Sequence, residues 1–367
     1  MIRNVEEGEK MIPESIESVT PAWLSEVLDS KIDAIHVTQI GEGVGLMGDI
    51  FRVELVSTDN ELSSVVVKLP SSFESNREQG VALGMFEAEV KFYKELGPSA
   101  QAGLPKIYHA EIVSGTADFV IVMEDLSDMV MVAQREGMSA DQARSAINVL
   151  GKIHSVWWNQ MDQEIYDWIP SMVGPRIEFV TRSLSEMYPS FSENFGSYLS
   201  DEGLYLYELF SSNYLNVNKK LAGRSPWTLV HQDCRVENML FDPDDPERVA
   251  VIDWQGIGRG PASYDLAYLL GGSMETDLRR EHEERLVADY HEILVGEGIS
   301  NYSHERLRQD YEISHLQGGL ATAMFTAGSL NLNNERGVEL VSTMVRRHAQ
   351  AALDHNGIAI LEEINKP

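Results

Sequence analysis

Cysteine is nearly absent from this chain of 367 residues. Its single copy, Cys234, excludes an intrachain disulfide and any cysteine pair for zinc. His-Glu-x-x-His, Gly-x-Ser-x-Gly and Gly-x-x-x-x-Gly-Lys-Ser/Thr are all missing. A zincin protease, a serine-hydrolase elbow and a P-loop enzyme are therefore unsupported. Positive charge is scarce: 29 Lys and Arg stand against 58 Asp and Glu, a formal net charge of −29. A surface of that sign repels nucleic acid and anionic lipid, so neither is expected as a partner. It would suit a cationic acceptor, although solubility alone accounts for it. No apolar run approaches the roughly 18 residues of a membrane span. Met1 to Lys10 mixes both charges without an apolar core, so no secretory signal is expected. A soluble cytoplasmic protein is the expectation.

What is present is an ordinary globular balance, 43% hydrophobic and 24% charged, in a chain long enough for two sizeable cores. Thr20-Pro21 predicts a short helix, with threonine as N-cap and Leu24, Val27 and Leu28 as its buried face. Ile32 to Ile40 is strand-like. Phe51, Val53 and Leu55 alternate with Arg52 and Glu54, the period of a half-buried strand. Val65 to Leu69 and Phe119 to Met123 predict further strands, with a helix over about 81–96 between them. Beyond about 124–140 long helical patterns take over. Ser139-x-x-Gln142 opens one as a capping box, with Ile147, Leu150, Ile153 and Trp157 on one face. Others cover about 175–220, 262–296, 304–330 and 336–356. Thr228–Val230, Asn238–Phe241 and Val249–Ile252 are the short strand-like segments among them. The expected division is an N-terminal lobe, 1–124, whose first 30 residues form an extension and short helix, and a C-terminal lobe, 125–367.

The chemistry concentrates between His231 and Asp253. Asp233 is followed five residues later by Asn238, and Asp253 ends an apolar run. Phosphoryl transfer from ATP needs a carboxylate beside the attacking hydroxyl and oxygen ligands for Mg2+. Asp233 is the candidate base; Asn238 and Asp253 are the candidate metal ligands. Gly43-x-Gly45-x-x-Gly48 is a weak signal alone, but it lies between two strands rather than opening a helix. Lys68 follows on the third strand, the order in which a nucleotide-binding kinase sheet is built. Lys68 would hold phosphates and be held by a carboxylate of the next helix. Glu89 is favoured over Glu87 because it borders the stripe of Phe86, Val90 and Tyr93. Arg235 would meet phosphate or brace the loop. His231 and Asp265 are expected to be structural, Asp265 bracing the catalytic loop from a helix start. Cys234 sits beside Asp233, whose charge raises a thiol pKa and argues against a nucleophile. Of Trp157 and Trp158, one could line an acceptor pocket and one should be core.

These residues resemble the aminoglycoside phosphotransferase and choline kinase superfamily, and within it the ecdysteroid-kinase-like branch. The resemblance rests on Val65-Val66-Val67-Lys68-Leu69-Pro70, Phe86 to Tyr93, Met123-Glu124-Asp125-Leu126 and His154 to Trp158. It continues through Leu229 to Asp233, Asn238, Ile252 to Gln255 and Asp265 to Tyr268. It implies an α+β, bilobal protein-kinase-like fold: an N-terminal antiparallel sheet lobe with a helix, and a larger, mostly helical C-terminal lobe. It implies ATP and Mg2+ as cofactors, a small-molecule hydroxyl as acceptor, and a hinge around Glu124 and Leu126 whose backbone meets adenine. Two departures stand out: Gln232 where glycine is usual, and Cys234 where a larger residue is usual. A nucleotide-binding pseudokinase is the alternative, and Gln232 is the feature that leans towards it. No Ala-Pro-Glu follows Asp253, which disfavours a protein substrate. Acceptor identity, ATP against GTP, and oligomeric state stay open.

Overall fold

The structure is a computed structural model and describes residues 12–41, 47–58, 62–100, 103–224 and 226–366. The chain divides into two compact units, one running to Pro98 and including Pro105–Ser127, the other formed by Ser99–Leu104 and everything from Asp128 onward.

The first unit is built on strands β1 (Ala34–Ile40), β2 (Gly48–Val56), β3 (Ser64–Pro70), β4 (Ile107–Ile112) and β5 (Phe119–Glu124). They form one antiparallel sheet in the order β1-β2-β3-β5-β4. The period-two pattern decides its faces. Phe51, Val53, Val65, Val67, Leu69, Val120 and Val122 point to one side and bury against Leu24 and Val27. Those two come from helix α1 (Pro21–Val27), whose N-cap Thr20 accepts the Trp23 N–H at 3.2 Å. Each such buried side chain contributes about 1.5–3 kcal/mol. The opposite face carries Lys68, Ile121 and Phe119, and Phe119 stacks on Phe86 at 4.9 Å.

The single helix expected over 81–96 is two helices, α2 (Glu74–Ala82) and α3 (Met85–Lys91), followed by a wide turn at Phe92–Leu96. Gly84 separates them with φ +67°, a left-handed conformation that ends one helix and lets the next start in a new direction.

The second unit holds helices α4 (Ala140–Val156), α5 (Pro175–Phe195), α6 (Asp201–Ala222), α7 (Ser263–Ser273) and α8 (Thr276–Gly296). It continues with α9 (His304–Ser314), α10 (Gly318–Ser329), α11 (Glu335–Asp354) and α12 (Gly357–Ile364). The Ser139 capping box forms in both directions, and Ile147, Leu150, Ile153 and Trp157 are all buried. The expected 175–220, 262–296 and 304–330 helices are each two. Ser200 interrupts the first by capping α6 through the Gly203 N–H. Met274–Glu275 interrupts the second in extended conformation. The main core collects Leu184, Phe191, Leu206, Phe210, Leu320 and Met344 from α5, α6, α10 and α11. All eleven residues of α7 are buried, so this helix has no solvent face.

Short strands complete the unit. β6 (Val130–Met131), β8 (Met239–Phe241) and β9 (Val249–Val251) form one sheet, while β7 (Thr228–Val230) pairs with β10 (Gly258–Gly260). A Cβ at Gly258 would meet the side-chain amide of Gln232, which would have to move aside. Among the described residues no helix is long and apolar enough to cross a membrane.

Candidate active site

In the first unit, Lys68 lies in the middle of the sheet, paired with Ile50 of β2 and Ile121 of β5. Its Nζ donates to both oxygens of Glu89 at 2.8 Å, with lysine and glutamate 7% and 1% exposed. Each charge of this buried pair is compensated by the other. Glu87 does not reach it. That side chain accepts from Ser114 Oγ at 3.0 Å and sits 3.6 Å from Lys91 Nζ.

At the end of β5, Glu124 donates its N–H to the Lys106 carbonyl at 2.8 Å, and its carboxylate accepts the Lys106 N–H at 3.0 Å. Asp125 holds Ser64 at 2.7 Å and Arg52 at 3.0 Å, and Leu126 is buried. Gly48 opens β2; Gly43 and Gly45 lie outside the described residues.

In the second unit, the chain between β7 and β8 is suspended from α7. The fully buried Asp265 accepts the His231 N–H at 2.6 Å with one oxygen and the Gln232 N–H at 3.0 Å with the other. His154 of α4 adds its Nε2 at 3.2 Å, and its Nδ1 meets the Tyr290 hydroxyl at 2.5 Å. His231 links loop to strand: its Nδ1 accepts the Asp233 N–H at 3.2 Å, and its Nε2 faces the Ile252 carbonyl at 2.9 Å. One neutral tautomer, protonated on Nε2, satisfies both bonds. Gln232 stands at φ +69°, the conformation that makes glycine the easier residue there.

The half-buried Asp233 carboxylate receives three groups. The Tyr268 hydroxyl donates to Oδ1 at 2.7 Å, Asn238 Nδ2 to Oδ2 at 3.1 Å, and Arg235 Nε lies 3.7 Å from Oδ2. Burial by itself raises the Asp233 carboxyl, but Arg235, Tyr268 and Asn238 outweigh it and hold the group below its usual value. Arg235, stabilised mainly by Asp233, also lies 3.7 Å from Glu237 and thereby braces the loop.

Asn238 uses its second amide hydrogen on the Asp233 carbonyl at 2.8 Å. With both hydrogens committed, Oδ1 is the atom it has left to offer a ligand. Beside it, Ile252 donates its N–H to the Asn238 carbonyl at 3.0 Å, continuing the β8–β9 pairing that begins with Met239 and Val251. Asp253 follows at φ +67°, its Oδ2 accepting from Gln255 at 3.1 Å. Trp254 locks the turn by bonding the Val251 carbonyl at 2.9 Å and packing on the His231 ring at 4.7 Å. An amide oxygen and a carboxylate are hard ligands that fit Mg2+.

The expectation for Cys234 holds, with burial as the larger cause, while that for the tryptophans changes. Cys234 is fully buried, and burial, ahead of Asp265 and Asp233, pushes its thiol well up. Both tryptophans are core: Trp157 and Trp158 are 2% and 7% exposed, and Trp158 meets Tyr302 edge-on. Tyr268 and His154 carry contacts that sequence reasoning passed over. The available signal was Tyr268 standing three positions after Asp265, on the same helix face. Glu283, His315 and His355 also gather within 4.8 Å. Arg279 already neutralises Glu283 and the two imidazoles stack in parallel, so the arrangement is an ion-pair knot.

The model of the ecdysteroid kinase-like family matches residues 42–298. An uncharacterized oxidoreductase of Caenorhabditis elegans is 24% identical over 336 residues, 81% of this chain and 40% of its own length. The chain thus spans about two fifths of that relative. An uncharacterized kinase-like protein of the same organism is 21% identical over 252 residues, 65% of this chain and 64% of that protein. Among solved structures, a candidate aminoglycoside phosphotransferase from Ralstonia eutropha aligns at TM-score 0.57 and 16% identity, covering 91% of this chain and 97% of that one. Ethanolamine kinase of Plasmodium vivax aligns at 0.52 and 15%, covering 99% and 94%. A variant aminoglycoside 2′-phosphotransferase solved with GDP aligns at 0.53 and 13%, covering 93% and 94%. Fold and family model together define the class, an α+β fold of the kind these phosphotransferase and kinase structures have. Within that class the chain belongs to the ecdysteroid kinase-like family.

Proposed function

We propose that this protein transfers the γ-phosphoryl group of Mg·ATP to a hydroxyl of a small molecule. The observation that carries the reading is the Asp233–Asn238 pair. Its carboxylate is held ionised by Arg235, Tyr268 and Asn238, and the amide keeps an oxygen for a cation.

Asp233 would accept a hydrogen bond from the acceptor hydroxyl, align it with phosphorus, and take its proton late in transfer. Removing such a group typically costs about 10²–10⁴ in rate. Asn238 and Asp253 would hold Mg2+, which when bound supplies charge neutralisation on the phosphate oxygens. Lys68, ion-paired with Glu89, would hold phosphates, and the backbone around Glu124 and Leu126 would meet the base. Little covalent chemistry falls to the protein; positioning and charge carry the rate.

The test is ADP release from Mg·ATP across a varied panel of alcohols that includes ethanolamine and kanamycin, with phosphorus NMR of any product. Asp233→Asn should abolish turnover and leave nucleotide binding intact. Full activity in that variant would overturn the assignment of the base.

A further inference from the structure

Both oxygens of the Asp125 carboxylate are occupied by the first unit's own chain. The residue follows β5, and its side chain is 5% exposed. Oδ1 accepts the Ser127 N–H at 3.1 Å, which closes an Asx turn over Leu126. Oδ2 accepts the Ser64 hydroxyl at 2.7 Å, at the start of β3, and lies 3.0 Å from Arg52 Nε on β2. One carboxylate therefore ties the turn to two strands of the sheet. Leu126 sits inside that turn. Its side chain is buried, and among the described residues no group bonds its N–H or its C=O.

We propose that Asp125 is a positioning residue that sets the direction of the Leu126 peptide groups for a nucleotide base. This rests on the kinase reading, in which the backbone around Glu124 and Leu126 meets the base. A turn closed by a side chain is rigid only if that side chain is itself held. Asp125 meets both conditions, because Oδ1 closes the turn and Oδ2 anchors it to β3 and β2. The two bonds between Glu124 and Lys106 lie ahead of the turn; neither spans Leu126, so neither replaces it. Without the Oδ1 bond the segment samples other conformations. A base then finds a competent backbone only in the fraction of molecules that keeps this one, and affinity falls by that fraction.

The experiment measures ADP and GDP affinity by titration calorimetry for full-length wild type, Asp125→Asn, Asp125→Glu, Asp125→Ala and Thr20→Ala. Melting temperature is read on the same samples. Asparagine keeps an oxygen for the Ser127 N–H, so Asp125→Asn should stay within about threefold of wild type. Glutamate keeps a charge within reach of Ser64 and Arg52 but is too long to close the same turn. Asp125→Glu should therefore weaken binding about tenfold, as should Asp125→Ala. In ADP release from Mg·ATP, with water as acceptor, these two variants should raise KM about tenfold and keep kcat, the mark of binding lost equally from ground and transition states. Thr20→Ala removes the cap of α1 and should lower the melting temperature without changing either affinity.

Wild-type affinity in Asp125→Glu and Asp125→Ala overturns the inference. So does a tenfold loss in Asp125→Asn, which would assign the effect to charge rather than to the turn. An equal loss in Thr20→Ala also overturns it, because general loosening would then suffice. A wild type that binds neither ADP nor GDP instead refutes the kinase reading, and with it the premise of the inference.

Discussion

Asp265→Asn isolates how much the suspension of the loop carrying Asp233 is worth. The two side chains have the same shape, so no cavity opens and the whole effect is electrostatic and hydrogen-bonding. Asp265 is fully buried and accepts two backbone N–H groups, at 2.6 Å and 3.0 Å, with His154 Nε2 at 3.2 Å. A hydrogen bond to a charged acceptor contributes about 1.5–3 kcal/mol. Asparagine keeps one accepting oxygen and turns an NH2 towards a backbone donor, leaving a buried N–H unpaired at about 1–3 kcal/mol. The expected loss is therefore about 3–5 kcal/mol of the roughly 5–15 kcal/mol that folded domains have. Urea unfolding would measure it. Asp233 hangs on the same two amides, so kcat should fall about 100-fold, the scale of an ångström-sized misplacement. Lys68 and Glu89 are untouched, and nucleotide binding should persist. A stability loss below about 1 kcal/mol would refute the two amide bonds as the loop's support.

Glu89→Gln should cost about 3–5 kcal/mol by urea unfolding, because it removes one partner of a buried ion pair; Glu87→Gln, on the half-exposed neighbour, should stay within about 0.5 kcal/mol. Gln232→Gly should be neutral or stabilising by up to about 1 kcal/mol, whereas Gln232→Val should lose about 1–3 kcal/mol, since a β-branched residue tolerates φ +69° poorly. His348 is pushed down to about 3 by burial first and then Arg347. The unfolded imidazole binds protons near 6.5 and the folded one does not, so its share of stability is present above 6.5 and lost as pH falls towards 3. His348→Gln should flatten stability against pH in that window. Burial raises the Asp354 carboxyl, but Arg280, Gln350 and Arg279 outweigh it and hold the group near 2. Its contribution is present above about 4 and lost as pH falls towards 2, and Asp354→Asn should remove that portion of the acid-unfolding curve.

Local signals carried much of the fold. Thr20-Pro21 and Ser139-x-x-Gln142 marked helix starts because a cap is a contact within three residues. The alternation of Phe51 to Leu55 exposed a strand because one face meets a core and the other does not. The break between α7 and α8 follows Gly271-Gly272, a turn signal that the reading of one helix over 262–296 passed over. β10 is three residues, two of them glycine, too short for any period to register. Within the site, Lys68 and Glu89 could be matched because an apolar stripe on α3 shows which side faces the sheet. Tyr268 could not be matched to Asp233, because their bond spans 35 residues and depends on how α7 packs.

A helix buried on every side cannot shift without dismantling what surrounds it. With Asp265 and Tyr268 both rooted in α7, the geometry around Asp233 is referenced to a helix with no solvent face. Substitutions that unpack α7 should lower turnover and foldedness together.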